Sequence, residues 1–171
     1  MERLFTDASF SHTSGIGGMA VVAPEWSAIY GDGPWRSRWD IRLAREPEYG
    51  AVVFCASCQC RGSVDAEKRA LGLAFLLAYD MIAIHEDAGY RGVQVEVITD
   101  SLSNLDLITW GDTRGDPILQ NLCGMWDSRR IVLTKVRGHA GNWGNELADK
   151  WSKHIRRDRE RTIGQQTFRR Y

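Results

Sequence analysis

Four acidic residues stand in sequence settings where a carboxylate is costly unless a cation accompanies it. Asp7 lies within LFTDAS, and Asp100 closes the apolar run VEVITD. Glu67 opens a helical pattern with an apolar face, and Asp149 lies in NELADKW. Buried acids need a counter-charge, and no obvious lysine or arginine stands beside each of them. A divalent metal with oxygen ligands is the simplest partner, so the pattern predicts metal-dependent phosphate chemistry.

Hydrolysis of a phosphodiester gives these carboxylates a joint role. In-line attack needs an activated water and a stabilised leaving oxygen, and two metal ions about 4 Å apart serve both needs. Taken singly, Asp100 also fits a helix cap, Asp149 a partner of the helix dipole and Glu67 a solvent-facing helix residue. These separate explanations do not account for an acid in the middle of the first strand, so we favour the joint one.

The spacing of apolar residues and the positions of turn-forming residues predict the strands and helices that carry these acids. Strands are predicted at 2–10, 17–23, GAVVFCASCQC, VQVEVIT and RIVLTKV. Helices are predicted from Ser63 to about Glu86, from about Ser101 to Trp110, through ILQNLCGMWDS and after GHAGNWG. The polar and aromatic stretch 24–50 is interpreted as an irregular excursion with an extended piece at 36–43. The order predicts an α/β fold with a five-stranded mixed sheet, its first three strands antiparallel and helices on both faces.

Composition sets the bounds of this interpretation. The chain has 171 residues, 43% of them hydrophobic, which suffices for one substantial core. A formal net charge of zero means that any surface for nucleic acid must be local. We find no signal-peptide pattern and no apolar run near the roughly 20 residues that span a bilayer, so we expect a cytoplasmic monomer without membrane contact. The expected division is a domain at 1–155 and a basic tail at 156–171, which is either a solvated terminus or an arm that grips phosphates.

The cysteines Cys55, Cys58, Cys60 and Cys123 do not complete a zinc pattern, because the fourth thiol is distant and no second pair is present. We interpret them mainly as reduced, partly buried thiols, with a metal site as the minor alternative. In a strand, Cys58 and Cys60 would share one face and Cys55 would point to the other.

Four motifs carry a resemblance over nearly the whole chain. FTDAS in the first strand, a glutamate opening the first long helix, ITDS closing the fourth predicted strand, and GHAG leading to NELAD resemble type 1 ribonuclease H. The resemblance implies an RNase H-like fold and an endoribonuclease that cuts the RNA strand of RNA–DNA hybrids. It also implies a two-metal mechanism with Mg²⁺, or Mn²⁺ as substitute.

The resemblance also implies a role for individual residues of this chain, wherever they match the family's motifs. The metal-binding acids would be Asp7, Glu67, Asp100 and Asp149. His139 would be the mobile loop histidine that assists turnover. Substrate contacts would come from Ser9, Ser101 and Asn145, the last matching a loop asparagine near the scissile phosphate.

The chain departs from the family pattern in ways that affect substrate binding. Ala8 stands where many members have glycine, and the short GDTRGDP replaces the basic protrusion of many bacterial enzymes. Phosphate contacts would then fall to Arg36, Arg38, Arg42 and the tail arginines. Two alternatives stay open. One is a nuclease of the same fold acting on another nucleic acid, such as a DNA resolvase, and the other is a non-catalytic nucleic-acid-binding module.

Overall fold

The structure is a computed structural model that describes residues 1–24, 26, 41–101, 108, 114–138 and 141–169, with side chains as far as residue 164. The strands are β1 (Glu2–Phe10), β2 (Ile16–Ala23), β3 (Arg42–Glu46), β4 (Ala51–Gln59), β5 (Val95–Thr99) and β6 (Ile131–Lys135). The helices are α1 (Ser63–Asp87), α2 (Pro117–Met125) and α3 (Trp143–Arg169). The helix predicted from Ser101 to Trp110 lies almost entirely outside the described residues.

The strands form one mixed sheet in the order β3-β4-β2-β1-β5-β6. β2 pairs antiparallel with both β1 and β4, and β3 pairs antiparallel with β4. β5 pairs parallel with both β1 and β6. The predicted mixed sheet is therefore confirmed, including the antiparallel arrangement of the first three predicted strands.

The predicted number of five strands is wrong, because the described part of the chain contains six. The additional strand is β3, which falls inside the stretch interpreted as an irregular excursion. Its sequence, RLARE, lacks the alternation of apolar and polar residues that marks a strand. It pairs with β4, where Leu43 stands opposite Phe54, so tertiary pairing rather than local pattern determines this strand.

Helices cover both faces of the sheet, as predicted. β2 is buried along its whole length, and its successive residues face opposite sides. Met19 and Val21 pack with α1 and α2 in one core cluster, while Ala20 and Val22 pack with α3 in the other. A strand that is covered on both faces has a continuous run of apolar residues, as the β2 sequence IGGMAVVA does.

Two glycines allow helix α3 to lie very close to the central strands. Gly144 belongs to the helix itself, and Gly18 lies in β2 and faces it. A Cβ added at Gly144 would lie 2.4 Å from the Phe5 ring, and one added at Gly18 would lie 2.0 Å from the carbonyl oxygen of Ser152. Neither space admits a side chain. The helix backbone therefore rests directly on β1 and β2, which fixes the height of its side chains above the sheet.

The expected boundary between domain and tail at residues 155 and 156 falls inside α3, which continues to Arg169. Two contacts join the part after Ile155 to the β-sheet side of the molecule. Arg42 pairs with Asp158 at 2.6 Å, and Ser14 Oγ donates to Glu160 Oε1 at 2.8 Å. The segment therefore begins as a continuation of the domain's last helix, and the division itself stays a prediction. Across the described residues, no helix combines the length and apolar character needed to cross a membrane.

Candidate active site

Asp7 lies in β1, on the face that α3 covers. Its neighbours in sequence point to the other side, where Thr6 Oγ1 donates to the carbonyl oxygen of Ala70 in α1 at 3.1 Å. The backbone N–H of Ala8 donates to Asp7 Oδ1 at 2.8 Å. Asp7 is thus held by a strand that lies between α1 and α3, and its carboxylate is partly buried there.

The register of β1 and β5 brings Asp100 to Asp7. The last paired residues of these parallel strands are Phe5 and Ile98. Two positions further along each chain stand Asp7 and Asp100, so the two acids lie side by side where β5 ends. This is the carboxyl edge at which folds with parallel strands build their sites.

The loop after β6 closes over Asp100. Val136 N donates to the carbonyl oxygen of Thr99 at 2.9 Å, which extends the pairing of β5 and β6 by one bond. A Cβ added at Gly138 would lie 3.0 Å from Asp100 Oδ2, so only glycine leaves the carboxylate clear. His139, the predicted loop histidine, lies outside the described residues. On its far side Gly141 has a φ of +77°, a conformation that favours glycine.

Glu67 and Asp149 enter from the two helices. Glu67 lies in the second turn of α1, and Ser101 Oγ donates to its Oε2 at 2.6 Å, joining the helix to the end of β5. Asp149 lies in the second turn of α3, where Lys153 Nζ contacts its Oδ2 at 2.8 Å. Each of these carboxylates therefore has a fixed partner that determines where its oxygens point.

Charge interactions link the other three acids to Asp7. The pKa of Asp7 is raised from 3.8 to about 7, first because burial removes water from the carboxylate and next because Asp100 is close. Asp149 and Glu67 add to the rise, whereas the hydrogen bond from Ala8 N opposes it. The negative charges of the other three acids therefore disfavour the ionised form of Asp7.

The carboxylate oxygens of the four acids are of the chemical type that binds a hard divalent cation. They are not, however, arranged around one point. Carboxylate oxygens are the ligands that Mg²⁺ and Mn²⁺ take in proteins. Within the described residues, however, no three His, Cys, Asp or Glu side chains are grouped as a set that could hold one ion. Two of the four acids are instead paired with side chains of the protein, Glu67 with Ser101 and Asp149 with Lys153.

The predicted substrate contacts differ in their accessibility. Ser9 is partly exposed in β1, two residues after Asp7 and so on the same face. Ser101 is 7% exposed and already donates to Glu67. Asn145 lies in the first turn of α3, as the helix predicted after GHAGNWG implies, and is 3% exposed, with its side-chain oxygen unpaired among the described residues.

Two residues of the site escaped prediction from sequence. Lys153 stands four residues after Asp149 on a helix, and that spacing alone would have found the pair. Gly138 matters because its missing side chain leaves space beside Asp100, and nothing in its sequence setting marks that role.

Comparison with known proteins identifies the fold. No family model matches the chain, and no curated protein matches it. The structure is similar to the crystal structure of RNase H1 from the halophilic archaeon Halobacterium salinarum NRC-1, with a TM-score of 0.55. The two share 18% sequence identity, and the match covers 92% of this chain and 98% of that chain. At this level of identity the likeness shows the fold alone, which is RNase H-like, as the sequence resemblance predicted.

Proposed function

We propose that this protein is a metal-dependent ribonuclease H that hydrolyses the RNA strand of RNA–DNA hybrids. The observation that carries the proposal is the convergence of Glu67, Asp100 and Asp149 on the partly buried carboxylate of Asp7. Asp149 forms an ion pair with Lys153, but a single lysine does not balance four carboxylates that repel one another. The likeness of the fold to an archaeal RNase H1 supports the same conclusion.

The residues that would hold two Mg²⁺ ions, or Mn²⁺ in their place, are Asp7, Glu67, Asp100 and Asp149. Such ions supply an activated water and neutralise charge on the leaving 3′ oxygen. In their absence Asp7, with its pKa near 7, is about half protonated at neutral pH. A divalent cation would take the place of that proton, because both compensate the same excess of negative charge.

The chain's own groups position this chemistry. Ser101 orients Glu67, and Lys153 holds Asp149 until the site fills. Gly138 leaves the Asp100 carboxylate uncovered on the side of the loop that carries His139. We assign to His139 the proton-transfer step that assists release of the cut strand, the role that the resemblance to type 1 ribonuclease H implies for it.

Selectivity for RNA within the hybrid would come from contacts to the 2′-hydroxyl, the group that distinguishes the two sugars locally. Of the three polar residues proposed for this role, Ser9 is the most available, because it is partly exposed on the face that bears Asp7. Ser101 and Asn145 are buried, so each would have to exchange a protein contact or a packing position for the substrate.

Phosphates of the hybrid would meet a basic depression on α3. It is lined by Lys150, His154, Arg157, Glu160 and Arg161, which recur at helical spacing on one side of the helix. Arg42, proposed from sequence for the same task, is engaged with Asp158 instead. Arg36 and Arg38 lie outside the described residues. The helix is therefore our main candidate for backbone contacts.

One experiment separates the proposal from its alternatives. A single sequence is prepared as RNA–DNA hybrid, double-stranded RNA and double-stranded DNA, and each is incubated with the protein and Mg²⁺. We expect cutting of the RNA strand of the hybrid, which stops when Ca²⁺ replaces Mg²⁺ because Ca²⁺ holds its ligands in a looser geometry. Preferred cutting of a homoduplex would indicate another nuclease of this fold, and binding without any cutting would indicate a non-catalytic module.

The matched variants are Asp100→Asn and Asp87→Asn. Asp100 adjoins Asp7, whereas Asp87 is the exposed last residue of α1, about 30 Å along the helix from Glu67. Asp100→Asn should retain no more than a few per cent of the parental rate while remaining folded, and Asp87→Asn should retain all of it. Equal activity of the two variants would contradict the assignment of the site.

A further inference from the structure

Two cysteines outside the acidic site form a close pair. Cys58 is near the end of β4 and Cys60 follows the strand directly, and their Sγ atoms lie 3.6 Å apart. The Cys60 sulfur also lies 3.7 Å from the carbonyl oxygen of Cys58, a second acceptor for its single S–H proton. The spacing of two residues places both thiols on one side of the chain, as the sequence predicted. Cys55 lies on the opposite face, in the core beneath α3.

The two thiols differ in exposure. Cys60 is 8% exposed, and a Cβ added at Gly17 of β2 would lie only 2.4 Å from its Sγ. Its sulfur thus occupies the space that a side chain at position 17 would fill. Cys58 is half-buried and lines a cavity of about 270 Å³. A small molecule can therefore reach Cys58 first, because Cys60 lies behind it.

The surroundings of Cys58 favour its thiolate. Arg69 of α1 lines the same cavity, and Asp65 holds the Arg69 guanidinium at 3.2 Å. A hydrogen bond from Cys60 lowers the pKa of Cys58, and Arg69 lowers it further, although burial opposes both. The same hydrogen bond, together with burial, raises the pKa of Cys60. Its greater exposure and the nearby Arg69 guanidinium therefore make Cys58 the thiol of the pair that reacts first.

We propose that Cys58 and Cys60 form a thiol–disulfide exchange site that accepts a low-molecular-weight disulfide such as oxidised glutathione. The Cys58 thiolate attacks one sulfur of that disulfide, its S–S bond breaks, and one small thiolate leaves with the electron pair. Cys60 then gives its proton to water and attacks the Cys58 sulfur, which expels the second small thiolate. Two protein thiols are oxidised to one disulfide, and the small disulfide is reduced to two thiols.

The separation of the two sulfurs favours the second step. Bonded sulfurs lie about 2.05 Å apart, so the pair must close by only about 1.6 Å. Cys60 becomes easier to deprotonate once Cys58 is capped, because the negative charge that held its proton is gone. This site is independent of the acids that carry the proposed function.

The test uses the reduced full-length chain treated with oxidised glutathione at pH 7 and quenched with acid, followed by intact mass spectrometry and peptide mapping. The parent should lose two hydrogens and yield a peptide linked between Cys58 and Cys60. Cys60→Ser should stop at a stable glutathione adduct on Cys58, and Cys58→Ser should form neither product. In the parent, Cys58 should react about tenfold faster than Cys123.

Cys55→Ser is the matched control, since Cys55 is a buried thiol of the same strand whose pKa burial raises to about 12. It should behave as the parent does. A second measurement uses a phenylarsenical, which binds two adjacent thiols at once: the parent should take up one equivalent with loss of two thiols, and either serine variant should not retain it. First reaction at Cys55 or Cys123, a stable adduct on parental Cys58, or arsenical binding unaffected by the serine variants would overturn the proposal.

Discussion

Asp7 is the residue whose protonation the fold controls most directly. Its carboxyl has a pKa of about 7 in the folded chain against 3.8 when unfolded. Between those pH values the folded chain keeps a proton that the unfolded chain has lost. The stability of the metal-free protein should therefore fall as the pH rises from about 4 to 7 and level off above that range.

Asp7→Asn should remove this pH dependence. The parent should lose about 3–4 kcal/mol of unfolding free energy from this residue between pH 4 and pH 8, since each pKa unit corresponds to about 1.4 kcal/mol. The variant should lose little over the same range and should be more stable than the parent at pH 8. Urea unfolding in the presence of EDTA measures both, with Asp87→Asn as the control. A variant with the parental pH slope would show that Asp7 is not the strained acid.

Mg²⁺ should restore the stability that the folded chain loses when Asp7 ionises. A cation that binds only the folded chain at a hundred times its dissociation constant adds about 2.7 kcal/mol of stability. Because it competes with the proton on Asp7, the gain should be larger at pH 8 than at pH 5, and Asp7→Asn should lose most of it. Thermal unfolding at the two pH values with and without Mg²⁺ tests this, independently of cleavage. A gain that does not change with pH would place the ion elsewhere.

His139 should matter less than the acids. Loss of a proton-transfer group typically costs 10²-fold to 10⁴-fold, whereas loss of an ion's ligand removes the chemistry that the ion supplies. Because His139 is assigned to turnover rather than to the ions, His139→Ala should slow cleavage about tenfold to a hundredfold, with Mg²⁺ stabilisation intact. Steady-state rates on hybrid, compared with Asp100→Asn, provide the measurement. A His139→Ala protein as inactive as Asp100→Asn would contradict this order.

At the scale of single residues, the sequence indicates which acids belong to the candidate site better than it indicates which residues contact them. Asp100 and Glu67 are marked by their places at a strand end and at a helix start, and both join the site that Asp7 defines. The bond between Ser101 and Glu67 spans 34 positions, and no local pattern encodes such a distance. The burial of Asn145 likewise depends on how α3 packs on the sheet, so the sequence placed the residue on the helix but could not predict that it is buried.

Among the elements, α3 places Asp149 by resting its backbone on the sheet. Gly144→Ala would push a methyl group into the Phe5 ring, because the added Cβ would lie 2.4 Å from it. Overpacking of this kind costs about 1–3 kcal/mol, and the shift of α3 should also lower cleavage through Asp149.

Gly164→Ala is the control on the same helix. Nothing lies within 4 Å of a Cβ added there, and alanine is favoured over glycine in a helix by about 0.5–1 kcal/mol. The two substitutions should therefore change the urea midpoint in opposite directions. Equal effects would mean that α3 does not contact β1 as closely as described.

Local pattern determined most elements but not all of them. β1, β2, β4 and the long helix α1 follow their predicted bounds within a residue or two, because each has a strong apolar period. Of the extended piece predicted at 36–43, residues 36–40 lie outside the described residues, and only Arg42 and Leu43 belong to β3; the rest of this charged strand was missed because it gains order by pairing with β4. The extension of α3 past Ile155 was also missed, since the apolar stripe ends there and contacts such as Arg42 with Asp158 hold the polar continuation.

Over the whole molecule, the zero net charge makes affinity for nucleic acid depend on a few local cations. With few phosphate contacts, the logarithm of hybrid affinity should fall with the logarithm of salt concentration at a slope of roughly −2 to −4. Changing Arg157 and Arg161 together to glutamine should reduce that slope by about one to two units, because a protein that neutralises fewer phosphates releases fewer counterions on binding. Binding of hybrid by catalytically inactive Asp100→Asn protein at several salt concentrations provides the values.

The control for the double variant is Arg91→Gln, in the exposed turn after α1 and away from the basic depression. It should leave the slope unchanged. An unchanged slope for the double variant would remove α3 from the binding surface, without touching the assignment of the acids.

The pairing of β1 with β5 has a consequence for the order in which the protein is made. β1 finds its parallel neighbour about ninety residues later in the chain, and α3 follows only after β6. Because synthesis runs from the N-terminus, a nascent chain that has reached Tyr90 already contains Asp7 and Glu67 but lacks the other two acids. Such a chain can form the antiparallel strands and α1, yet it holds only half of the cluster. The four acids can therefore come together only after the chain has been made as far as Asp149.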